Sequence, residues 1–201
     1  MRSHALALGI AATTLLAVGA CKKEGTAGGV PNAQTPKAQK EAGTKTIAAG
    51  LAPGGRFMAA AKTAGLDQTL AGPGPYTVFV PDDAAFDGAP AGTFDNKPGN
   101  RPQITGIVTN LVLQGTVLTD DIGKLIDRRN GKGILATMSG ETLTATRDGG
   151  KIVLADSAGH RATITQGDEK YTNGVVHHVD ALLMPSKVAA GPAVGQKAGK
   201  K

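Results

Sequence analysis

Three carboxylates follow an apolar run in the segment YTVFVPDDAAFDG, residues 76–88, and are the first candidates for chemistry. Asp82, Asp83 and Asp87 could bind a cation or act as an acid and a base. A calcium loop, however, needs oxygen ligands at alternate positions and a distal bidentate acid, and alanine and phenylalanine occupy those places. A carboxylate after a strand and a proline instead favours a helix start, where it accepts hydrogen bonds from free N–H groups. We predict that Asp82 caps a helix and that Asp83 is favoured by the helix dipole.

Two adjacent histidines, His177 and His178, are the strongest candidates for a pair of metal ligands. They lie in a run with the two-residue period of a strand, where neighbouring side chains point to opposite faces. One ion therefore cannot easily take both. We predict no metal site, a packed and hydrogen-bonded imidazole at His177, and a solvated His160 in a turn.

The candidate nucleophiles of the segment 46–186 are Ser139, Ser157 and Ser186. None lies in a G-x-S-x-G elbow, and the chain has no P-loop, dinucleotide fingerprint or HExxH pattern. We predict that the protein is not an enzyme and takes no cofactor.

The net charge of +6 is unevenly distributed along the 201 residues. Residues 1–45 carry six Lys/Arg against two acids, and residues 187–201 carry four Lys and no acid. The segment 46–186 has twelve Lys/Arg against fourteen acids, a net charge of −2. A nucleic-acid-binding domain concentrates basic and aromatic residues on its folded part, whereas aromatics are 3% of this chain. Nucleic acid is therefore not an expected partner.

The N-terminal residues are typical of a lipoprotein signal peptide, predicted at 1–20. A short positive head precedes the apolar run 5–18, which is shorter than the roughly 20 residues of a membrane-spanning helix. Val18-Gly19-Ala20-Cys21 resembles a bacterial lipobox, and Cys21 is the only cysteine. We predict that Cys21 is lipidated and anchors the protein in a membrane. Because Lys22 rather than Asp follows it, the outer membrane of the cell envelope is the expected location.

Two segments lack the apolar side chains that a packed core requires. Residues 21–45, rich in Gly, Ala, Pro and Lys, are predicted to be a flexible tether. Residues 187–201 are predicted to be a disordered basic tail. The folded domain is expected at 46–186.

Within that domain the hydrophobic period changes from helical to extended. A helical spacing of apolar residues starts at Phe57, and Gly65 is the predicted C-terminal cap of that helix. A second helix is predicted from the spacing that starts at Ile104, after Pro102. A third helix is predicted to be capped by Thr119. From Ile134 onward the period is two, with Ser-Gly, Asp-Gly, Ala-Gly and Asn-Gly turns between the runs. Helices followed by an antiparallel meander predict an α+β fold.

Two segments of this domain resemble the signature motifs of the fasciclin domain family. They are GPGPYTVFVPDDAAF at 72–86 and NGVVHHVDALLMP at 173–185. The matching positions are Thr77, Val78, Phe79, Pro81, Asp83, Ala85 and Phe86 in the first and Asn173, Gly174, Val175, Val176, His177, Asp180, Leu183 and Pro185 in the second.

The resemblance covers essentially all of 46–186 and implies a wedge-shaped β-sandwich with flanking helices. It also implies adhesion or protein or polysaccharide interaction, with an unidentified macromolecule of the envelope or the cell exterior as partner. The alternative is an envelope lipoprotein that binds a small ligand or a metal in a crevice between helices and sheet.

One departure from the family concerns the middle helix. Many members carry a Tyr-His pair there that is implicated in adhesion in animal proteins, and this chain has Asn110-Leu111. We predict an interaction surface near Asn110 and Leu111; the competing interpretation is core packing, because Leu111 continues the apolar stripe from Ile104.

Overall fold

The structure is a computed structural model that describes residues 43–186. In chain order its helices are α1 (Ile47–Gly50), α2 (Arg56–Ala64), α3 (Asp67–Ala71), two 3₁₀ helices (Asp83–Gly88 and Pro98–Asn100), α4 (Arg101–Asn110) and α5 (Thr119–Arg128). Its strands are β1 (Tyr76–Pro81), β2 (Val112–Gln114), β3 (Gly133–Ala136), β4 (Thr142–Asp148), β5 (Lys151–Ala155), β6 (Arg161–Tyr171) and β7 (Gly174–Val179).

The seven strands form one sheet in the order β2-β1-β7-β6-β5-β4-β3. Strands β3 to β7 form the predicted antiparallel meander, and the α+β prediction is confirmed. The pairing of β1 with β7 is parallel, with Tyr76 opposite Gly174 and Pro81 opposite Val179. The two signature segments therefore contain neighbouring strands, the second and third from the β2 edge of the sheet.

The helix predictions at Phe57 and Ile104 are confirmed. Phe57, the first apolar residue of the α2 stripe, is buried, and α2 ends at Gly65, whose φ of 76° lies in the left-handed region that glycine tolerates. Pro102 lies in the first turn of α4, and the stripe from Ile104 faces the core.

Helix α5 packs against β3, β4 and β5, and Gly133 of β3 lies close to it. A Cβ at Gly133 would come within 3.2 Å of Leu125, so the absence of a side chain lets helix and strand approach. The prediction that Thr119 caps this helix is wrong by one position. The N-cap is Leu118, because its backbone is still extended and Thr119 is already helical; the Leu118 backbone N–H donates to Asp121 Oδ2 at 3.3 Å.

The predicted signal peptide 1–20, Cys21, most of the tether and the tail 187–201 lie outside the described residues. The described part begins at Gly43, inside the predicted tether, and the Lys45 carbonyl accepts a hydrogen bond from Thr172 N at 2.8 Å. Residues 43–45 are therefore attached to the end of β6. Within 43–186 no helix has the length and apolarity to cross a membrane.

Candidate functional site

The acidic cluster after β1 holds the start of a neighbouring helix. Asp82 occupies the N-cap position of the 3₁₀ helix that follows it, as predicted, but its side chain does not make the predicted capping hydrogen bond. Asp83 Oδ1 instead accepts from the backbone N–H of Arg56, at 2.9 Å. Arg56 is the first residue of α2, whose N-cap is Gly55 and has no side chain to serve that role. The cluster is structural, as predicted, through a contact that spans 27 residues.

The Arg56 side chain completes this contact. Its Nη1 donates to Asp87 Oδ1 at 2.5 Å and to the Asp83 carbonyl at 3.1 Å. Its guanidinium lies 5.3 Å from the centre of the Phe86 ring, and the buried Phe86 meets Phe94 edge-on with ring centres 5.0 Å apart. Phe86 thus joins the 3₁₀ helix to the segment 89–97.

Thr77 and His177, on adjacent strands, both hold the loop that leads from β2 to α5. Buried Thr77 Oγ1 donates to the Gly115 carbonyl and accepts from Val117 N, both at 2.8 Å. His177 Nε2 lies 2.8 Å from the Val117 carbonyl and therefore donates to it, while Nδ1 accepts from the Asp168 backbone N–H at 3.0 Å. The packed imidazole predicted at His177 is confirmed.

The surroundings of His177 favour its neutral form. Its ring is fully buried and stacks on Phe79, with ring centres 5.5 Å apart. Burial lowers the pKa of His177 below its ordinary value, against the opposing effects of the Val117 carbonyl and of Asp168. The Asp168 carboxylate caps the start of α5, which is distant in sequence: it accepts from Thr119 N at 2.8 Å and from Thr119 Oγ1 at 2.5 Å.

Asn173 joins the sheet to two short helices that the sequence did not reveal. Its Oδ1 accepts from Ile47 N at 2.8 Å, at the start of α1. Its Nδ2 donates to the carbonyls of Leu70 and Gly72, at 2.8 and 2.9 Å, at the end of α3. The next residue, Gly174, has a φ of 152° and lies against the β1 backbone, where a Cβ would clash with the carbonyl group of Tyr76.

Pro81 and Asp180 close the far end of the paired signature strands. Pro81 is buried opposite Val179, and Asp180 Oδ1 accepts from Thr163 N at 2.6 Å. The Asp180 backbone N–H donates to the Thr163 carbonyl at 3.1 Å, which extends the contact between β6 and β7 past the last residue of β7.

Asn110 and Leu111 have exposed fractions of 0% and 1%, so the prediction that they contribute to an interaction surface is wrong. Leu111 lies in the core, and Asn110 Oδ1 accepts from Thr137 at 3.3 Å and from Ser139 at 3.2 Å. The physical reason is the apolar stripe of α4, which turns both residues toward the interior.

His178 points away from His177, as the strand geometry predicts. Its Nε2 lies 3.0 Å from Glu169 Oε2, and Tyr171 donates to Glu169 Oε1 at 2.6 Å. The Tyr171 hydrogen bond, followed by His178, holds the pKa of Glu169 below its usual value despite partial burial. Burial and then this hydrogen bond raise the pKa of Tyr171. The sequence did not predict that His178, Glu169 and Tyr171 meet, because a β-bulge in the pairing of β6 with β7 determines which residues of the two strands face each other.

His160 is paired rather than simply solvated, which corrects the prediction for that residue. Its Nδ1 lies 2.8 Å from Oδ2 of the buried Asp156, and the Asp156 carboxylate also accepts from the backbone N–H groups of Ala158, His160 and Met184. This carboxylate attaches the C-terminal part of the domain to the β5–β6 turn.

The three candidate nucleophiles have polar partners that are not histidines. Ser139 joins the Asn110 contacts, and Ser157 hydrogen-bonds to Glu141 and, at 3.2 Å, to Ser186. Among residues 43–186, no three His, Cys, Asp or Glu side chains are placed to hold a metal ion.

A broad, open groove of about 1380 Å³ lies between α2 and the segment 86–98. Ala59, Ala60 and Thr63 of α2 form one wall, and the start of α4 closes the groove at Arg101. We call it the α2 groove. A second pocket of about 470 Å³ lies between the Gly72–Pro75 turn and residues 170–175.

Comparison with known proteins identifies the architecture that these contacts hold together. The family model of the fasciclin domain matches residues 55–185, which is well over half of the chain. The chain belongs to the fasciclin domain family. The match includes both signature segments. Polar residues of these segments, such as Thr77, Asn173 and His177, make the hydrogen bonds that attach loops and helices to the sheet.

Several proteins resemble this fasciclin chain. Protein sll1483 of Synechocystis is 31% identical over 141 residues, covering 69% of this chain and 71% of the relative. Transforming growth factor-beta-induced protein ig-h3 of Sus scrofa is 28% identical, over 64% of this chain and only 17% of its own length. Immunogenic protein MPB70 of Mycobacterium bovis is 30% identical, over 56% of this chain and 51% of its own.

The fasciclin fold is confirmed by a solved structure. A pair of FAS1 domains from the insect cell adhesion molecule Fasciclin I aligns with a TM-score of 0.61, at 17% identity, over 73% of this chain and 53% of the other. The predicted wedge-shaped sandwich with flanking helices is therefore correct.

Proposed function

We propose that this protein is an envelope lipoprotein, anchored through Cys21, whose fasciclin domain mediates adhesion by binding a macromolecule of the envelope or of the cell exterior. The family supports an adhesive role, because the structural relative is part of a cell adhesion molecule. The location rests on the lipobox-like Val18-Gly19-Ala20-Cys21.

The proposal rests on one contrast: the polar residues of the signature segments are buried in hydrogen bonds within the fold, whereas the α2 groove is open to solvent. Thr77, Asn173 and His177 are buried and hydrogen-bonded within the fold, so they are not presented to a partner. The groove is larger than the ~300–1,000 Å³ of a typical small-molecule pocket. An open groove of this size suits a segment of a polymer.

A binding comparison tests the proposal. The full-length protein carrying Cys21→Ser and a version reduced to residues 43–186 are incubated with isolated cell envelopes across a salt series. We expect the domain alone to retain binding that persists at physiological salt. Attraction by the basic termini, in contrast, is screened over a Debye length of ~8–10 Å. If only the full-length protein binds, and salt releases it, the basic termini explain the adhesion and the domain does not.

A second candidate function is small-ligand binding in the pocket beside the Gly72–Pro75 turn. Its volume of about 470 Å³ lies within the small-molecule range, and Thr46, Thr116 and Thr172 supply hydroxyls. Native mass spectrometry of protein purified from its own envelope would detect a retained compound. A mass equal to that of the chain with its acyl groups alone would argue against this candidate.

A further inference from the structure

The α2 groove concentrates positive charge on a domain that is otherwise slightly acidic. Its charged side chains are Arg56, Lys62, Lys97 and Arg101 against Asp87 and Asp95. Four cations and two carboxylates give the groove a net charge of +2, whereas the segment 46–186 as a whole carries −2. The groove is therefore complementary to an anionic partner.

Two of the groove cations are available to such a partner. Arg56 is paired with Asp87 at 2.5 Å and Lys97 with Asp95 at 2.7 Å. Lys62 and Arg101 are exposed and form no ion pair within residues 43–186. They lie at the same end of the groove, since Lys62 is in the last turn of α2 and the Arg101 guanidinium lies over Gly65, which ends that helix.

The walls of the groove indicate which kind of polyanion fits. The interior backbone N–H groups of α2 are used within the helix, so an extended peptide cannot add to this wall as a strand would. Phe86 is 3% exposed, and Phe94 is partly buried in an edge-on contact with it, so the groove offers at most one partly covered ring for stacking on a neutral sugar. What the walls mainly offer is cations and the half-buried hydroxyl of Thr63, which suit carboxylate and hydroxyl groups.

We propose that the α2 groove binds an acidic polysaccharide, a chain of sugar units that carry carboxylates, with Lys62 and Arg101 as the principal contacts. This deepens the proposed function and rests on it. The protein's own C-terminal segment does not suit the groove, because residues 187–201 carry four lysines and no acid. Arg101 can hold a carboxylate through two parallel N–H···O bonds, while Lys62 acts as a point charge.

Calorimetric titration of the full-length Cys21→Ser protein with an oligogalacturonate tests the site, with a glucose oligosaccharide of equal length as the neutral ligand. We expect binding of the oligogalacturonate only. The double variant Lys62→Gln/Arg101→Gln should bind about tenfold more weakly, at about threefold for each exposed charge. The matched control, Arg129→Gln/Lys132→Gln, removes two exposed charges that do not line the groove and should bind like the parent.

A second pair of variants keeps the groove cations in place. Ala59 is an exposed residue of α2 on the groove wall, and glutamate and glutamine are both good helix formers. Ala59→Glu should weaken binding about threefold by repelling the carboxylates, as the loss of one exposed positive charge does, and Ala59→Gln should change it little. Equal effects of the two substitutions would contradict a charge-based site.

Other outcomes separate this proposal from the adhesive function. If Arg129→Gln/Lys132→Gln weakens binding as much as the groove variant, the attraction is general and the site is wrong. Tighter binding of an oligoglutamate of equal charge would overturn the polysaccharide in favour of an acidic peptide. If the groove variants bind envelopes as the parent does, the groove proposal is wrong and the adhesive function is unaffected. If the unsubstituted domain does not bind envelopes at all, both the groove proposal and the adhesive function of the domain are wrong.

Discussion

At the scale of single residues, His177 is the most informative side chain because its role depends on its protonation state. The neutral ring donates from Nε2 to Val117 and accepts from Asp168 at Nδ1. A protonated ring could not accept at Nδ1, and it would place a charge in a fully buried position. Because the pKa of His177 is lowered in the folded protein, the free energy of unfolding depends on pH.

We predict that the stability of the domain decreases in mild acid because of His177. The unfolded chain binds a proton on this residue below about pH 6.5, whereas the folded ring stays neutral until its lower pKa. The contribution of His177 is therefore complete above about pH 6.5 and falls below it, by up to ~1.4 kcal/mol per pH unit. Urea unfolding between about pH 5 and 8 measures this slope.

The variant His177→Gln should be less stable at neutral pH, and its free energy of unfolding should lack the decrease below about pH 6.5 that His177 causes. His160→Gln is the control, because His160 is partly exposed and paired with Asp156. A slope that is the same in the parent and in His177→Gln would assign the acid sensitivity to other groups.

The acidic cluster gives a second prediction at this scale. Asp83→Ala removes the acceptor for the first N–H of α2, and loss of a helix cap costs about 0.5–2 kcal/mol. Asp82→Ala, the adjacent control, should change the free energy of unfolding by less than about 0.5 kcal/mol. Thermal unfolding with added calcium or EDTA should be unchanged. Stabilisation by calcium that disappears in Asp83→Ala would mean that the cluster binds a cation.

At the scale of secondary-structure elements, a few side chains of the sheet and of the segments that directly follow its strands attach the peripheral helices to the sheet. Asn173 holds α1 and α3, Asp83 holds the start of α2, and Asp168 holds the start of α5. Helices as short as α1 and α3 are unstable alone, so they depend on these contacts and on packing.

We predict that Asn173→Ala destabilises the domain and loosens α1 and α3 together. Three backbone groups lose their partner, two of them in the buried residues Ile47 and Leu70, and each unsatisfied group costs about 1–3 kcal/mol. Hydrogen exchange should show lost protection at the Ile47 amide before the β-strands are affected. Asn100→Ala, which removes two similar bonds within the loop 92–100, should have a smaller and local effect. Uniform loss of protection across the sheet would contradict the attachment role.

At the scale of the whole molecule, the expected architecture is a neutral-to-acidic domain joined to a membrane anchor by a basic segment. We predict that Cys21→Ser releases the protein from the membrane fraction and removes the mass of the acyl chains. Two or three chains anchor stably where a single one is marginal. Ala20→Ser, which keeps a small residue before the cysteine, is the control and should stay in the membrane. Unchanged membrane association of Cys21→Ser, with no acyl mass in the parent, would contradict lipidation.

The sequence by itself determined the α+β class, the helices at Phe57 and Ile104, the meander after Ile134, and the family. These features follow from local periodicity, from turn and cap residues, and from two contiguous motifs. The internal roles of His177 and of the acidic cluster were also predictable, since a strand separates adjacent side chains and a carboxylate suits a helix start.

Only the tertiary structure decided which partners these residues have. Asp83 caps α2 rather than its own helix, Asp168 caps α5 across 49 residues, and Asn173 reaches Ile47 across 126. The burial of Asn110 and the α2 groove likewise depend on how α2, α4 and the segment 86–98 pack. Such contacts join segments far apart in the chain, and no local pattern of residue types encodes a pairing that arises only when the sheet brings the segments together.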